Sequence, residues 1–189
     1  PKGYDFSKNN KLPFKIKSSE NIIIFFPGST LGNFEKKDAV KFLKMLKSKF
    51  KAKKIIIGVD LVKDIPTLIS AYDDKKGITA KFNKNILQRI NTELGGDINL
   101  NSYKHLAIYN KPKKRIEMRL KSKKNNNIKI NGSKYLIKKN EEIHTENSHK
   151  YTIRSFKNLT SEAGWRIKKT WVDDKKLFSV HCLHLDKLG

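Results

Sequence analysis

Apolar runs and helical periodicity alternate along the first third of the chain. Ile22-Ile23-Ile24-Phe25-Phe26 is a continuous apolar stretch of strand length, which predicts a buried strand. A glycine-containing segment, Pro27-Gly28-Ser29-Thr30-Leu31-Gly32-Asn33-Phe34, follows it. From about Glu35 to Phe50, Ala39, Val40, Phe42, Leu43, Leu46 and Phe50 recur at helical spacing. They predict an amphipathic helix, with Asn33 in position to cap it. Ile55-Ile56-Ile57-Gly58-Val59-Asp60 then repeats the strand pattern. Strand, loop, helix, strand is the unit of a parallel α/β sheet, and ligands bind such sheets at the carboxyl ends of their strands. Residues 28–33 and 60–64 fall at two such ends.

Past residue 65 the pattern changes. Pro66 is expected to open a short helix ending at Tyr72. A second helix is expected over Ile78–Leu94, with Phe82, Ile86, Leu87 and Ile90 on its apolar face and Gly95-Gly96 as its stop. Residues 105–110, 115–121, 127–130 and 133–139 read as strands, separated by turns at 123–127 and at Asn131-Gly132. The stretch 140–152 has no clear pattern. Extended over 142–150, it would place His144, Glu146 and Ser148 on one face, continued by Lys150. A helix is expected over 159–164, followed by an antiparallel pair, 165–172 and 177–184, that turns at Asp173-Asp174.

Composition narrows the function classes. Basic residues number 42 against 18 acidic ones, a formal charge of +24. Such a field favours anionic partners, nucleic acid first among them. Bidentate reading of bases and phosphates belongs to arginine, however. The chain has only five: Arg89, Arg115, Arg119, Arg154 and Arg166. Its lysines are spread over the whole length among asparagines and isoleucines, as a general compositional bias would leave them. No specific nucleic-acid partner is therefore expected. Hydrophobic residues at 37% and aromatics at 10% exclude a disordered polycation. The apolar runs are too short for membrane-spanning helices. The lone Cys182 has no internal disulfide partner, and no cysteine and histidine spacing suits zinc. With no secretory leader pattern, a reduced, cytoplasmic setting is expected. The chain starts at Pro1 rather than at methionine, as a processed or truncated product would.

Local chemistry leaves alternatives open. The 28–33 loop has neither the G-x-G-x-x-G spacing nor a Gly-Lys-Ser/Thr ending. It is either a ligand loop or a tight turn leading into the next helix. His144, Glu146, Ser148 and His149 form either a polar recognition face or a solvated hairpin tip. A histidine and a glutamate two residues apart nominate no further metal ligands. Asp73-Asp74 read as solvated acids at a helix end, and His105, His181 and His184 as ordinary strand residues. No Ser-His-Asp order or nucleophile elbow is present, so covalent hydrolysis has no triad.

Several segments taken together carry a resemblance. Phe26-Pro27-Gly28-Ser29-Thr30-Leu31-Gly32-Asn33-Phe34 is followed by Gly58-Val59-Asp60-Leu61-Val62-Lys63-Asp64 and Ala71-Tyr72-Asp73-Asp74. Thr79-Ala80-Lys81-Phe82-Asn83-Lys84-Asn85-Ile86-Leu87 comes next, then Arg115-Ile116-Glu117-Met118 and Ile143-His144-Thr145-Glu146-Asn147-Ser148. In this order the blocks resemble the histidine-specific, S-adenosylmethionine-dependent N-alpha-methyltransferases, which convert histidine to hercynine in ergothioneine biosynthesis. The resemblance implies a Rossmann-like class I methyltransferase fold, of which only the later strands are present, with an α+β substrate-binding insertion. Residues 1–64 would be the later part of the cofactor-binding core, 65–152 the insertion, and 153–189 the closing helix and antiparallel strands.

By the same resemblance, Gly28 and Ser29 line the pocket of S-adenosyl-L-methionine, and Asp5 and Phe6 lie against its adenine. Asn33 and Tyr72 hold the amino and carboxylate ends of L-histidine, and Glu146 and Ser148 recognise its imidazole. A related enzyme acting on another amino acid, such as a tryptophan derivative, and a noncatalytic remnant are the alternatives. The substrate amine is itself the nucleophile, so none is sought in the chain, and no general base is nominated for its proton. The glycine-rich cofactor loop of the family's first strand has no counterpart here. The chain is therefore expected to be the substrate-side part of a larger protein, or to depend on a partner chain.

Overall fold

The computed structural model describes residues 21–185 together with Lys15. Its first elements are β1 (Ile23–Phe26), α1 (Lys36–Ser48), β2 (Lys54–Asp60), α2 (Ile65–Tyr72) and α3 (Ile78–Leu94). Strands β3 (Tyr103–Asn110), β4 (Arg115–Ser122), β5 (Asn126–Ile130), β6 (Ser133–Ile137) and β7 (Glu142–His149) follow. The chain closes with α4 (Ile153–Glu162), β8 (Trp165–Val172) and β9 (Phe178–Leu185).

Four strands form the first sheet in the order β1-β2-β9-β8. β1 and β2 are parallel, β9 runs antiparallel to β2, and β8 antiparallel to β9. The pleat turns Ile24, Phe26, Ile55, Ile57, Val59 and Leu183 to one face, where α1 and α4 cover them. Helix α1 contributes Ala39, Val40, Phe42, Leu43 and Leu46, and α4 contributes Phe156 and Leu159. Trp165 is fully buried in this core, and its indole N–H donates to the Leu43 carbonyl at 2.9 Å, so its burial strands no donor. On the opposite face Ile23 and Phe25 are exposed, at 57% and 71%.

The second sheet has the order β3-β4-β7, with the β5-β6 hairpin beside it. Leu87 of α3 packs with Tyr103, Leu120 and Ile128, and Leu68 of α2 packs with Ile116 and Met118. Two backbone bonds stitch the sheets together where β2 and β7 end. Tyr151 N–H donates to the Asp60 carbonyl, and Val62 N–H to the Tyr151 carbonyl, each at 2.9 Å.

Four expectations are corrected. Helix α4 begins at Ile153, not near residue 159, because Thr152 and Ser155 form a reciprocal capping box whose serine replaces the usual glutamate or glutamine. Asn33 does not cap α1. It ends a 3₁₀ turn over Thr30–Asn33, and Glu35 takes the cap position. Of the expected face of α3, Leu87 is buried and Ile90 packs partly buried beside it, but Phe82 and Ile86 are exposed, as is Ile78, and Asn83 is buried in their place. The unpatterned 140–152 stretch contains a full strand, β7.

Gly58 is where the first sheet admits the loop after β1. A Cβ there would lie 2.1 Å from the Pro27 carbonyl oxygen and within 2.8 Å of the Phe178 ring. The nearer neighbour is backbone, which cannot swing aside as a side-chain tip can. Gly58→Ala is expected to destabilise the fold by about 1–3 kcal/mol, the usual cost of overpacking, read as a lower urea midpoint with an unchanged slope.

Candidate functional site

The loop after β1 is held from two sides. Ser29 adopts a left-handed conformation, φ 56°, and its Oγ accepts the Asp60 backbone N–H at 2.9 Å. Gly32 lies so close under β7 that a Cβ would stand 2.9 Å from the His149 carbonyl oxygen. Its own carbonyl accepts the His149 Nδ1–H at 2.9 Å. These contacts carry Asn33 to the flank of β7. There it lines a cavity of about 430 Å³ with His144, Thr145, Glu146 and Asn147. Gly28 is exposed at the carboxyl end of β1.

Strand β7 sorts its side chains by pairing with β4. Glu146 is opposite Met118 and Ser148 opposite Ile116, whereas Asn147 and His149 are opposite Glu117 and Arg115. A bulge at Thr145 brings His144 into register with Arg119. His144 therefore leaves the face it was expected to share with Glu146 and Ser148. That face continues through Lys150 instead. Tyr72 arrives from the end of α2, with its Oη 2.7 Å from Ser148 Oγ. The Tyr72 carbonyl accepts from His105 Nε2 at 2.7 Å, and His105 Nδ1 accepts from the Asn83 amide at 2.9 Å. His105 is thus a bracket between α2, α3 and β3 rather than an ordinary strand residue.

Lys150 completes the cluster. Its side chain is fully buried, and its ammonium reaches Asp60 Oδ2 at 2.7 Å and the Tyr72 and Ser148 hydroxyls at 2.8 Å each. Asp60 also pairs with Lys63. Burial pushes the Glu146 carboxyl above its ordinary value, opposed by the Asn33 amide that faces it and by the charge of Lys150. Periodicity hinted at Lys150 on the β7 face, but nothing in the sequence showed that it would be buried and paired with Asp60. Asp74, expected to be a solvated acid, accepts the Ile78 and Thr79 N–H groups at the start of α3, which draws its carboxyl down to about 2. Asp5 and Phe6 lie outside the described residues.

The other face of β4 and β7 is a ladder of ions. Arg115 bridges Glu35 and Glu117, and Arg119 bridges Glu117 and Glu142. Arg115 and Glu117 retain 5% and 3% of their side-chain exposure, so each charge depends on its partners. Through Glu35 the ladder also anchors the start of α1 and the loop before it.

Residues 2–185 match the family described as histidine-specific, SAM-dependent methyltransferase, and the chain belongs to that family. It is 34% identical over 162 residues to the histidine N-alpha-methyltransferase of Mycolicibacterium smegmatis, and 32% over 161 residues to that of Mycobacterium tuberculosis. Each match covers 84% of this chain and 50% of the relative, so the chain spans about half the length of these relatives. Among solved structures, a S-adenosylmethionine-dependent methyltransferase from Clostridium acetobutylicum superposes with a TM-score of 0.46 at 9% identity, over 97% of this chain and 63% of that one. No helix among the described residues is long and apolar enough to cross a membrane.

The ion ladder makes a pH prediction. Burial alone would raise the Glu117 carboxyl, but hydrogen bonds from Arg119, Arg115 and Asn110 outweigh it and hold the group at about 2. A carboxyl depressed in the folded state contributes stability above its ordinary value of 4.5, and that contribution is lost as pH falls from there toward about 2. Urea midpoints should therefore fall across that window. Glu117→Gln should flatten this dependence while lowering stability at neutral pH by about 3–5 kcal/mol, the cost of breaking a buried pair.

Proposed function

We propose that the protein containing this chain transfers a methyl group from S-adenosyl-L-methionine to the α-amino nitrogen of L-histidine, giving hercynine, with this chain as its substrate side. One observation carries the reading. Asn33, Tyr72, Glu146 and Ser148 come from three separate parts of the chain and gather beside the ends of β1 and β2. Tyr72 touches Ser148, and Asn33 faces Glu146. Asn33 and Tyr72 then hold the amino and carboxylate ends, and Glu146 and Ser148 meet the imidazole, whose two nitrogens suit polar partners.

The cofactor supplies an electrophilic sulfonium methyl. The chain's own part is to orient the substrate amine, since a neutral amine is nucleophile enough once it is held in line. Gly28, exposed at the lip of β1, and Ser29, which keeps its hydroxyl proton free while accepting from Asp60, are the groups on the cofactor side. Asp5 and Phe6 are assigned to the adenine end. Asp60 is engaged by Lys63 and Lys150 and is not free for a ribose. Ribose recognition is therefore assigned to polypeptide beyond residues 21–185.

The same reading organises the fold. The β1-β2-β9-β8 sheet, with one reversed strand, serves as the later half of a Rossmann-like class I sheet. On this division residues 1–64 and 153–189 belong to the core and 65–152 to the substrate insertion. Exposed apolar groups flank the site on two sides, Ile23 and Phe25 on β1 and Ile78, Phe82 and Ile86 on α3. Patches of this kind mark surfaces that pack against more protein. An amino-terminal half or a partner chain is assigned to them.

The test is methyl transfer by the full-length gene product, with L-histidine and L-tryptophan offered in parallel and products weighed by mass spectrometry. Mass gains on histidine alone are expected, and gains on tryptophan alone would replace the substrate. Glu146→Ala should weaken L-histidine binding by about 2 kcal/mol, roughly thirtyfold. Unchanged affinity in calorimetry would remove Glu146 from the ring end. The 189-residue chain alone is expected to bind the cofactor only weakly.

A further inference from the structure

An ammonium has three N–H donors and no acceptor. All three donors of Lys150 are in use, on Asp60 Oδ2 at 2.7 Å, Tyr72 Oη at 2.8 Å and Ser148 Oγ at 2.8 Å. Both hydroxyl oxygens thus accept from the same nitrogen. They also lie 2.7 Å from each other, a separation that two oxygens hold with a proton between them. Each hydroxyl owns one proton. With one committed to the bond between them, the pair has a single proton left for a ligand. Tyr72 and Ser148 cannot both donate outward.

We propose that Lys150 is a positioning residue that commits the Ser148 proton to Tyr72 and the Tyr72 proton to the carboxylate of the ligand. The proposal rests on the reading above that Tyr72 meets the carboxylate end of the amino acid. Acidity sets the direction. A phenol gives up its proton more readily than an aliphatic hydroxyl, and a carboxylate is the strongest acceptor on offer. The adjacent ammonium polarises Tyr72 Oη further toward donation. It also lies 4.5 Å from the centroid of the Tyr72 ring, which fixes the ring's tilt. Asp60, which it shares with Lys63, gives the buried ammonium its ion-pair partner.

This assignment changes what Ser148 offers. Its proton goes to Tyr72, so it meets the ring as an acceptor, as the Glu146 carboxylate does. Two acceptors at that end suit a ring presenting two N–H groups, an imidazolium, and not an indole, which has one.

The test compares two ligands that differ in the carboxylate, L-histidine and histamine, by calorimetry on the full-length gene product and on its Lys150→Met variant. The unaltered protein should prefer L-histidine. In Lys150→Met that preference should shrink by about tenfold or more, the worth of one charge-assisted hydrogen bond, a loss for L-histidine beyond whatever both ligands lose at the ring end through Ser148. Equal losses for both ligands would show a purely structural lysine and overturn the proposal. Should Lys150→Met show no cooperative thermal transition, Lys150→Gln, neutral but still polar, carries the same comparison with the same two outcomes. A preference that survives intact in a folded variant also overturns it. If the unaltered protein binds neither ligand, the substrate reading itself falls, a result distinct from the others.

Discussion

A buried positive charge must be neutralised where it lies, and in this protein that requirement draws the site together. Lys150 has no solvent to turn to. Its ammonium can be accommodated only if the end of β2 brings Asp60, the end of α2 brings Tyr72 and β7 brings Ser148 to one point. Removing any one leaves the ammonium short of a partner in a low-dielectric setting, where the penalty is largest. The position of each group is therefore fixed by the other three. A ligand arriving there meets hydroxyls already oriented, with little left to organise on binding.

The two faces of the β4-β7 pair divide the labour. One face holds Glu146, Ser148 and Lys150 beside apolar Ile116 and Met118, and the other holds the Arg115–Glu117–Arg119–Glu142 ladder. Strand alternation allows this, since neighbours in sequence point to opposite sides. The ladder fixes the pairing, because a one-residue slip would exchange the faces and bury Glu117 against Met118's side without its arginines. Specific register is what an ion ladder of this kind supplies, more than net stability.

Much of this was legible in the sequence. Apolar runs and helical spacing gave β1, α1, β2 and α3 nearly to the residue, although only α1 and β2 bury most of their apolar residues, whereas β1 and α3 leave several exposed. Strand β7 carried no apolar alternation to read: its residues are nearly all polar, even where they lie opposite apolar Ile116 and Met118. Helix α4 was placed late because a Thr-Ser capping pair is a weaker signal than one ending in glutamate. His144 was put on the wrong face because a bulge adds one residue, and nothing in the local composition announces it. The four proposed substrate residues stood out through family resemblance. Lys150, one of many lysines in a lysine-rich chain, stood out only once its burial could be seen.

The bond between His149 and Gly32 spans 117 positions of sequence. The near side of that gap holds only part of the site, and the loop after β1 packs directly under β7. Contacts at such separation are slow to close, and they close late. A ribosome that has released β1 through α3 has produced Asn33 and Tyr72, but neither Glu146 nor Ser148. On the proposed assignment the four groups meet only after β7 has been made and threaded home, and an amino acid bound there would act on nearly finished molecules, shifting them toward the folded state without guiding the earlier steps.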